Sequence, residues 1–430
     1  MSKWLEGSRI SRQYVGGDSY DTVQINLSSS DLTAINIGQV ASIYADLGIE
    51  TDDMRGLRSN RYYDFLQLQI VDIERAEILI DGRYRVGGDQ ISIGSDIADH
   101  LAGDENDNLL VGLGSNDTLV AGAGKDTLYG GGDNDLLYGD AGNDILDGGT
   151  GTDSMYGGTG NDQFYVDSAS DRVFENAGEG ADFVYATTSS LTLSANIERL
   201  IFTDTGNHVG CRNALDNRLN GNVGNDKFVL DAGGADIFSG GSGSDSFDAR
   251  SAANGVSINL ITGVHGGDAA GDTFASIEKF FGSTVEDDFM RTGAARADFA
   301  GFGGNDTLIG GSSVDRISGG DGDDILFGGS ASDTLQGGGD NDTLNGGGGR
   351  DLFLYVNAAF GQDTITDFQD GIDRMRVFSA VADDISDFTI TDNGTSTVRV
   401  ALSADPINFI DINGISGSNV TIDANDFLFY

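Results

Sequence analysis

Aspartate recurs at every ninth residue in two stretches of the chain, and this spacing is the strongest chemical signal in the sequence. Six nine-residue units follow one another from 112 to 165, among them GLGSNDTLV, GGGDNDLLY and GGTGNDQFY, and six more run from 301 to 354. The sixth residue of each unit is an aspartate: Asp117, Asp126, Asp135, Asp144, Asp153 and Asp162 in the first block, and Asp306, Asp315, Asp324, Asp333, Asp342 and Asp351 in the second. Because all twelve carboxylates occupy the same position of the repeat, they indicate a repeated binding function.

The remainder of each unit supplies what a hard cation needs. Glycine crowds the first four positions, where it permits positive φ and lets backbone carbonyl groups approach one another. Ca²⁺ takes about six to eight oxygen ligands from carboxylates and carbonyls. Because every turn offers both, we predict Ca²⁺ ions between stacked turns, with the twelve aspartates as ligands. Six contiguous units would form about four complete sites, since a terminal turn lacks a partner on one side.

The eighth residue of each unit is large and apolar, as at Leu119, Leu137 and Phe164. The last three positions are typical of extended chain, with the eighth side chain pointing inward. A short constant period indicates a solenoid whose units stack on their neighbours. Two units make one coil, so each turn lies on the turn two units away. The predicted fold is all-β: a parallel β-roll (β-solenoid) of GGxGxDxUx nonapeptides with small non-repeat caps at the two ends.

Tandem GGxGxDxUx units resemble those of the RTX (repeats-in-toxin), or haemolysin-type calcium-binding, family. The resemblance implies a parallel β-roll that binds Ca²⁺ through its turns. It also implies export by type I secretion, with the secretion apparatus as a partner during export. The Ca²⁺-ligand role carries over to the aspartates that match the motif.

Composition narrows the class of protein further. The chain has 430 residues, 66 of them glycine and one proline, and a formal net charge of −45. Such a charge repels phosphate and anionic lipid, which excludes nucleic acid as a partner. No apolar run is long enough to predict a membrane span, and the first ten residues, MSKWLEGSRI, lack the apolar core of a Sec signal peptide. Without metal, an acidic glycine-rich chain is expected to be largely disordered.

The sequence divides into five predicted regions. They are a non-repeat N-terminal cap (1–101), the first β-roll block (102–165), a degenerate β-rich middle (166–300), the second β-roll block (301–354), and a C-terminal cap with a type I secretion signal (355–430). In the first region we expect a helix over Ser30–Leu47 and strands over Tyr63–Ile80. The irregular unit AGDENDNLL at 102–110 makes Asp107 a further candidate ligand.

The middle region carries degenerate copies of the motif. GNVGNDKFV, DAGGADIFS and GGSGSDSFD contain three more candidate Ca²⁺ ligands, Asp226, Asp236 and Asp245. The strings Ile-Glu-Arg at 197–199 and Ile-Glu-Lys at 277–279 are interpreted as the starts of strands that return to the solenoid.

The last region contains two features that stay open. The acids of FGQDTITDFQDGID (Asp363, Asp367, Asp370 and Asp373) either cap the last turn or bind a cation, or are simply solvated. The final DANDFLFY is similar to a type I export signal and is also compatible with an ordinary last strand.

A search for catalytic motifs finds none of the familiar ones. The three histidines form no HExxH, which argues against a zinc protease, and no GxSxG precedes a helix, which argues against a lipase. The favoured hypothesis is a secreted, extracellular Ca²⁺-binding protein with a structural, surface or adhesive role, whose cell-surface or matrix target is unidentified. The alternative is an extracellular enzyme, or an accessory module of one, with an unrecognised active site in the N-terminal or middle region.

Overall fold

β-strands dominate the structure, a computed structural model. It describes residues 10–13, 22–27, 77–80, 83–84, 91–94, 96–230, 233–290, 296, 298–357, 359–378, 381–382, 384–414 and 418–429. The one helical element in these ranges is a 3₁₀ turn at Ile385–Asp387, so none of the described helices could cross a membrane. The all-β prediction is confirmed.

The chain forms two compact bodies. The N-terminal body comprises Met1–Thr188 with Ser194–Arg199, and the C-terminal body comprises Ser189–Leu193 with Leu200–Tyr430. The predicted helix over Ser30–Leu47 lies outside the described residues, as does most of the predicted Tyr63–Ile80 strand region. Its last part, Glu77–Ile80, is a strand.

Fifteen described strands belong to the N-terminal body. They are β1 (Ile10–Gln13), β2 (Thr22–Leu27), β3 (Glu77–Ile80), β4 (Arg83–Tyr84), β5 (Ile91–Ile93), β6 (His100–Ala102), β7 (Leu109–Leu113), β8 (Thr118–Ala123), β9 (Thr127–Gly132), β10 (Leu136–Ala141), β11 (Ile145–Thr150), β12 (Ser154–Thr159), β13 (Gln163–Val166), β14 (Arg172–Phe174) and β15 (Phe183–Ala186). Strands β1 to β4 make a small mixed sheet in that order, antiparallel except between β2 and β3.

The strands from β5 to β15 wind into a parallel solenoid. Even-numbered strands β6, β8, β10, β12 and β14 form one sheet, and odd-numbered strands β5 to β15 pair in order in another. All these pairs are parallel, and Leu137 is level with Leu119 on one side and Met155 on the other. Each coil therefore advances by two nonapeptides, as the period predicts.

The eighth-position side chains form the core of this roll. Leu119, Leu128, Leu137, Leu146 and Phe164 are all 0 % exposed. Burying such a side chain contributes roughly 1.5–3 kcal/mol. Because successive residues of a strand point to opposite faces, the seventh and ninth positions remain partly exposed.

The C-terminal body contains the other twenty-five strands. They are β16 (Ser190–Thr192), β17 (Arg199–Phe202), β18 (Val209–Cys211), β19 (Arg218–Asn220), β20 (Lys227–Val229), β21 (Ile237–Ser239), β22 (Ser246–Asp248), β23 (Val256–Asn259), β24 (Val264–Gly267), β25 (Thr273–Ala275), β26 (Lys279–Phe281), β27 (Asp288–Met290), β28 (Asp298–Gly303), β29 (Thr307–Gly311), β30 (Arg316–Asp321), β31 (Ile325–Ser330), β32 (Thr334–Gly339), β33 (Thr343–Gly348), β34 (Leu352–Tyr355), β35 (Gln362–Phe368), β36 (Arg374–Val377), β37 (Phe388–Thr391), β38 (Thr397–Leu402), β39 (Phe409–Gly414) and β40 (Phe427–Phe429).

The second block and the worn middle residues share sheets in this body. One sheet runs β16-β18-β20-β22-β26-β28-β30-β32-β34-β36-β40, and another runs β24-β23-β27-β29-β31-β33-β35-β39-β38-β37. Phe289 of the middle is level with Leu308, and Leu308 with Leu326. The pairs β23/β24, β37/β38 and β38/β39 are antiparallel. The final DANDFLFY thus contributes a strand, β40, that pairs with β36.

Two adjacent glycines of one turn provide a test of the close coil spacing. Gly349 has φ +147°, and a methyl group there would meet the carbonyl group of Ala331, with the Ala331 Cα only 3.1 Å away. Gly348 has no neighbouring atom within 4 Å of an added methyl and lacks a positive φ.

We expect Gly349→Ala to destabilise the C-terminal body by about 3 kcal/mol or more, because strain in a glycine-only backbone region costs about 1–3 kcal/mol and the clash adds to it. Gly348→Ala should change stability by less than about 1 kcal/mol. Urea unfolding of both variants in excess Ca²⁺ measures the difference. Equal effects of the two substitutions would contradict the described turn.

Candidate metal centre

One oxygen of most sixth-position aspartates ties neighbouring coils together. Asp135 Oδ1 accepts the backbone N–H of Asp117, and Asp144 Oδ1 accepts that of Asp126, each at 2.8 Å. The second block repeats the bond, for example from the N–H of Asp324 to Asp342 Oδ1 at 2.9 Å. Hydrogen bonds to an ionised acceptor are about twice as strong as neutral ones. The bond also fixes the direction of the second carboxylate oxygen.

That second oxygen has no protein partner in most of the predicted ligands. Within the part of the chain that the structure describes, no hydrogen bond reaches the buried Oδ2 of Asp117, Asp126, Asp135, Asp144, Asp153, Asp162, Asp226, Asp245, Asp324, Asp333, Asp342 and Asp351. A buried polar group left unsatisfied costs about 1–3 kcal/mol, and a charged one costs more. A row of such atoms therefore indicates a partner that is not protein.

The free oxygens face the space left by the first-position glycines. A methyl group on Gly139 would stand 2.6 Å from Asp144 Oδ2 and 2.6 Å from the carbonyl oxygen of Gly157 in the next coil. In the second block, a methyl group on Gly328 would have the same two distances to Asp333 Oδ2 and the Gly346 carbonyl. Carboxylate and carbonyl oxygens thus converge on one point, which is the all-oxygen donor set that Ca²⁺ takes.

Burial makes these carboxylates hard to ionise without a cation. It raises the pKa of Asp135 and of Asp144 to about 7, and the neighbouring carboxylates of the stack add to the effect. The pKa of Asp342 is likewise raised to about 7 by burial. The N–H donated by the preceding coil opposes the shift in each case. A bound divalent cation would favour the ionised form.

These pKa shifts predict opposite pH responses with and without metal. An acid whose folded pKa is raised contributes stability to the metal-free fold below its unfolded pKa of about 4, and that stability is lost as the pH rises through the folded value near 7. Metal-free protein should therefore gain β-structure on acidification. Ca²⁺ affinity should instead fall between pH 8 and pH 6, because protons compete for the same oxygens.

Calorimetric titration with Ca²⁺ at pH 8, 7 and 6, in two buffers of different ionisation enthalpy, measures both the affinity and the protons released. A pH-independent affinity without proton release would contradict the raised pKa values.

Two predicted ligands differ from the common arrangement. Asp107 is exposed, and its Oδ1 accepts the N–H of Lys125. The N–H to Oδ1 bonds between coils form a continuous row, here called the ladder. Its member in this coil is Asn108, whose N–H is 2.7 Å from Asp126 Oδ1. The predicted phase was therefore wrong by one residue, because the eighteen-residue coil pairs Asn108, and not Asp107, with Asp126. Asp315 stays buried, but its Oδ2 accepts the N–H of Gly311 at 2.7 Å.

Sequence reasoning missed several members of the ladder. Asp182 Oδ1 accepts the N–H of Asp162 at 2.7 Å. Its segment, AGEGADFVY at 177–185, has glycines and an aspartate at the spacing of the repeat, so the sequence could have identified it. Glu198 and Glu278 take the same role through Oε2, accepting the N–H groups of Asp182 at 2.7 Å and Asp245 at 2.9 Å. These are the glutamates of the two Ile-Glu strings, and the basic residues that follow them begin β17 and β26.

The acids after the second block close the ladder. Asp363 Oδ1 accepts the N–H of Asp342 at 3.1 Å, and Asp373 Oδ1 accepts that of Asp351 at 2.9 Å. Burial raises the pKa of Asp363 to about 9. Asp367 accepts two backbone N–H groups, while the Asp370 side chain is bonded at the surface to the N–H of Thr421. Asp363 and Asp373 thus continue the row of bonded aspartates, and both are buried, not solvated.

The middle residues place basic side chains beside ladder carboxylates. Arg212 is only 2 % exposed, and its guanidinium contacts Asp236 Oδ2 and lies 3.9 Å from Asp272 Oδ1. His208 occupies a sixth position, with Nδ1 2.8 Å from Asp226 Oδ1 and Nε2 in contact with Asp204. Asp236 therefore has a charge partner within the protein.

Comparison with known proteins agrees with this geometry. A family model described as the RTX calcium-binding nonapeptide repeat (4 copies) matches residues 93–128, 102–137, 129–164, 138–173, 213–247, 232–254, 300–335 and 318–353. No curated protein is significantly similar in sequence.

Among solved structures, the chain is similar to the crystal structure of extracellular lipase LipA from Serratia marcescens, at 20 % identity over 59 % of this chain and 45 % of that chain, with a TM-score of 0.22. The chain spans less than half the length of that lipase, and a likeness of this degree carries no argument about function. The family matches support Ca²⁺ binding, because they include the nonapeptides whose carboxylates lack a protein partner. The chain therefore contains RTX calcium-binding nonapeptide repeats, which bind Ca²⁺ at several sites.

Proposed function

We propose that this protein is secreted by the type I route and that its β-roll folds on Ca²⁺ outside the cell, where it has a structural, surface or adhesive role without catalysis. The observation that carries the proposal is the row of buried Oδ2 atoms without a protein partner between stacked turns. Where Ca²⁺ is scarce, those carboxylates and the entropy of the glycines oppose folding. That state suits passage through a narrow exporter.

The free energy of Ca²⁺ binding to the folded state is large enough to decide whether the roll folds. A site that exists only in the folded state stabilises it by about 2.7 kcal/mol at a Ca²⁺ concentration of 100 Kd. About four such sites in one block would contribute about 11 kcal/mol, which matches the total stability of about 5–15 kcal/mol of ordinary domains. Binding free energy would thus supply most of the folding free energy.

Circular dichroism of the metal-stripped full chain, titrated with Ca²⁺ and in parallel with Mg²⁺, tests the folding part. We expect a cooperative gain of β-structure with Ca²⁺ and little change with Mg²⁺, which demands a smaller octahedral site and gives up its waters reluctantly. A fully folded signal in the metal-free protein at neutral pH, or an equal response to Mg²⁺, would overturn this part.

Export is tested separately, in cells with and without a type I secretion system. We expect the full chain in the medium only when the exporter is present. A variant truncated before Asp423 should stay inside, because it lacks the DANDFLFY segment that is similar to an export signal. A variant with Asp423→Asn alone is the control for expression. Export of the truncated chain would contradict the assignment of the signal.

A further inference from the structure

The first block ends in a carboxylate cluster that departs from the repeat geometry. In the regular coils, the neighbour of a first-position glycine is a backbone carbonyl eighteen residues later, as Gly157 is for Gly139. For Gly157 itself, the residue eighteen later is Glu175, and its side chain fills that place. A methyl group on Gly157 would contact Glu175 Oε1 and lie 2.5 Å from Asp162 Oδ2. A charged oxygen therefore replaces a neutral carbonyl here.

The three acids of this cluster are close together and shielded from water. One carboxylate oxygen from each of Asp162, Glu175 and Asp182 lies within 4.8 Å of the others. Asp162 is 0 % and Asp182 1 % exposed. Asp162 Oδ2 and both carboxylate oxygens of Glu175 are buried without a hydrogen bond of normal geometry. Among the described residues, none of the three forms an ion pair with a basic side chain.

Hydrogen bonds hold the carboxylates of Asp162 and Asp182, and the backbone of Glu175, in place. Asp162 Oδ1 accepts the N–H of Asp144, and Asp182 Oδ1 accepts the N–H of Asp162, both at 2.7 Å. The backbone carbonyl of Glu175 accepts the Asn196 side-chain amide at 2.9 Å. A cavity of about 410 Å³ is lined by Glu175, Tyr156 and Glu179 among others, so it adjoins the cluster. The cluster is thus oriented, buried and next to a cavity.

We propose that Asp162, Glu175 and Asp182 bind a hard cation, Ca²⁺ in the protein's own setting, in a turn site that differs from the regular ones because the Glu175 side chain replaces a glycine carbonyl. Its protein ligands are three side-chain carboxylates from two successive coils, where the regular sites combine carboxylates with backbone carbonyls. Affinity for Ca²⁺ rises with the number of charged ligands. This site is therefore the tightest of the block and the first to fill, and it joins the last regular coil to the chain that follows. The inference rests on the Ca²⁺-binding β-roll but not on export.

The test compares Glu175→Gln with Glu105→Gln in the full chain. Both remove one negative charge from the N-terminal body, and Glu105 is exposed and outside the cluster. Ca²⁺ is titrated by calorimetry, and Tb³⁺ is used as a luminescent probe excited through tyrosine, because Tyr156 lines the cavity beside Glu175. We expect Glu175→Gln to remove one ion from the tightest class, or to weaken it by about tenfold or more. Glu105→Gln should bind like the wild type.

The outcomes separate this inference from the proposed function. If the wild type shows no Ca²⁺-dependent folding, the proposed function fails. If the wild type folds on Ca²⁺ and Glu175→Gln keeps the stoichiometry, affinities and Tb³⁺ signal of the control, this inference is overturned. Circular dichroism in excess Ca²⁺ verifies that Glu175→Gln is folded, as its near-identical shape leads us to expect. Asp182→Asn provides a second variant, for which loss of the same ion supports the site and its retention contradicts it.

Discussion

Replacing Asp135 by alanine is expected to remove at least one bound Ca²⁺ and to destabilise the Ca²⁺-loaded first block by about 4–6 kcal/mol. Loss of one site costs about 2.7 kcal/mol at a Ca²⁺ concentration of 100 Kd. The substitution also leaves the buried N–H of Asp117 without its 2.8 Å acceptor, which costs about 1–3 kcal/mol. Because stacked repeats fold cooperatively, the Ca²⁺ midpoint of the neighbouring turns should rise as well. Calorimetry and urea unfolding in Ca²⁺ measure both effects.

A matched control lies in the same turn. Asp133 is exposed and has φ +70°, and glycine stands at the equivalent fourth position in Gly151 and Gly160. Asp133→Gly removes the same charge without straining the backbone, so stoichiometry and midpoint should stay unchanged. Asp135→Asn keeps an acceptor for the Asp117 N–H and isolates the contribution of the metal, at about 3 kcal/mol. Asp135→Ala with wild-type stoichiometry and midpoint would exclude Asp135 as a ligand.

Replacing Arg212 by methionine is expected to destabilise the Ca²⁺-loaded C-terminal body by about 3–5 kcal/mol. The guanidinium is buried against Asp236 and faces Asp272. Removing one partner of a buried ion pair leaves an uncompensated charge in the interior, and that charge accounts for the cost. Thermal and urea unfolding in excess Ca²⁺ measure the change.

Two further variants make the Arg212 result interpretable. Arg296 pairs with Asp298 at 3.0 Å, but its side chain is 57 % exposed, so Arg296→Met should cost no more than about 1 kcal/mol. Arg212→Gly places glycine at the first position of its nonapeptide, as in the regular turns. This variant should regain stability on adding Ca²⁺, because the metal can then take the place of the guanidinium. If Arg212→Met is as mild as Arg296→Met, the buried pair does not stabilise the fold.

The repeating features of this protein are predictable because they depend on local spacing. A nine-residue period with a hydrophobe at the eighth position is sufficient to predict a parallel β-roll and an inward row from Leu119 to Phe164, and the structure confirms both. The RTX resemblance and the use of Ca²⁺ follow from the same motif and are also confirmed. Each of these properties is set within one coil, where sequence neighbours are also neighbours in space.

The partners of each carboxylate are not predictable in this way. They come from the next coil, and the number of residues between coils varies. Asp236 donates its N–H to Asp272, 36 residues on, at 2.8 Å. The antiparallel pair β23/β24 is inserted between them, and no nine-residue count anticipates that length. The one-residue error at Asp107 has a different origin: Asn108 is eighteen residues before Asp126 and bonds to it, but this regular position is occupied by asparagine and an aspartate stands next to it.

The nine-residue period alone is therefore enough to establish the fold class, the core and the type of metal. Only the tertiary structure distinguishes a carboxylate without a protein partner from one that is paired with a basic side chain. Asp144 and Asp236 occupy the same motif position, yet one has a free buried oxygen and the other contacts Arg212. The physical reason is that charge compensation acts through space between coils, and the side chain that compensates Asp236 is Arg212, which stands where the regular repeats have glycine.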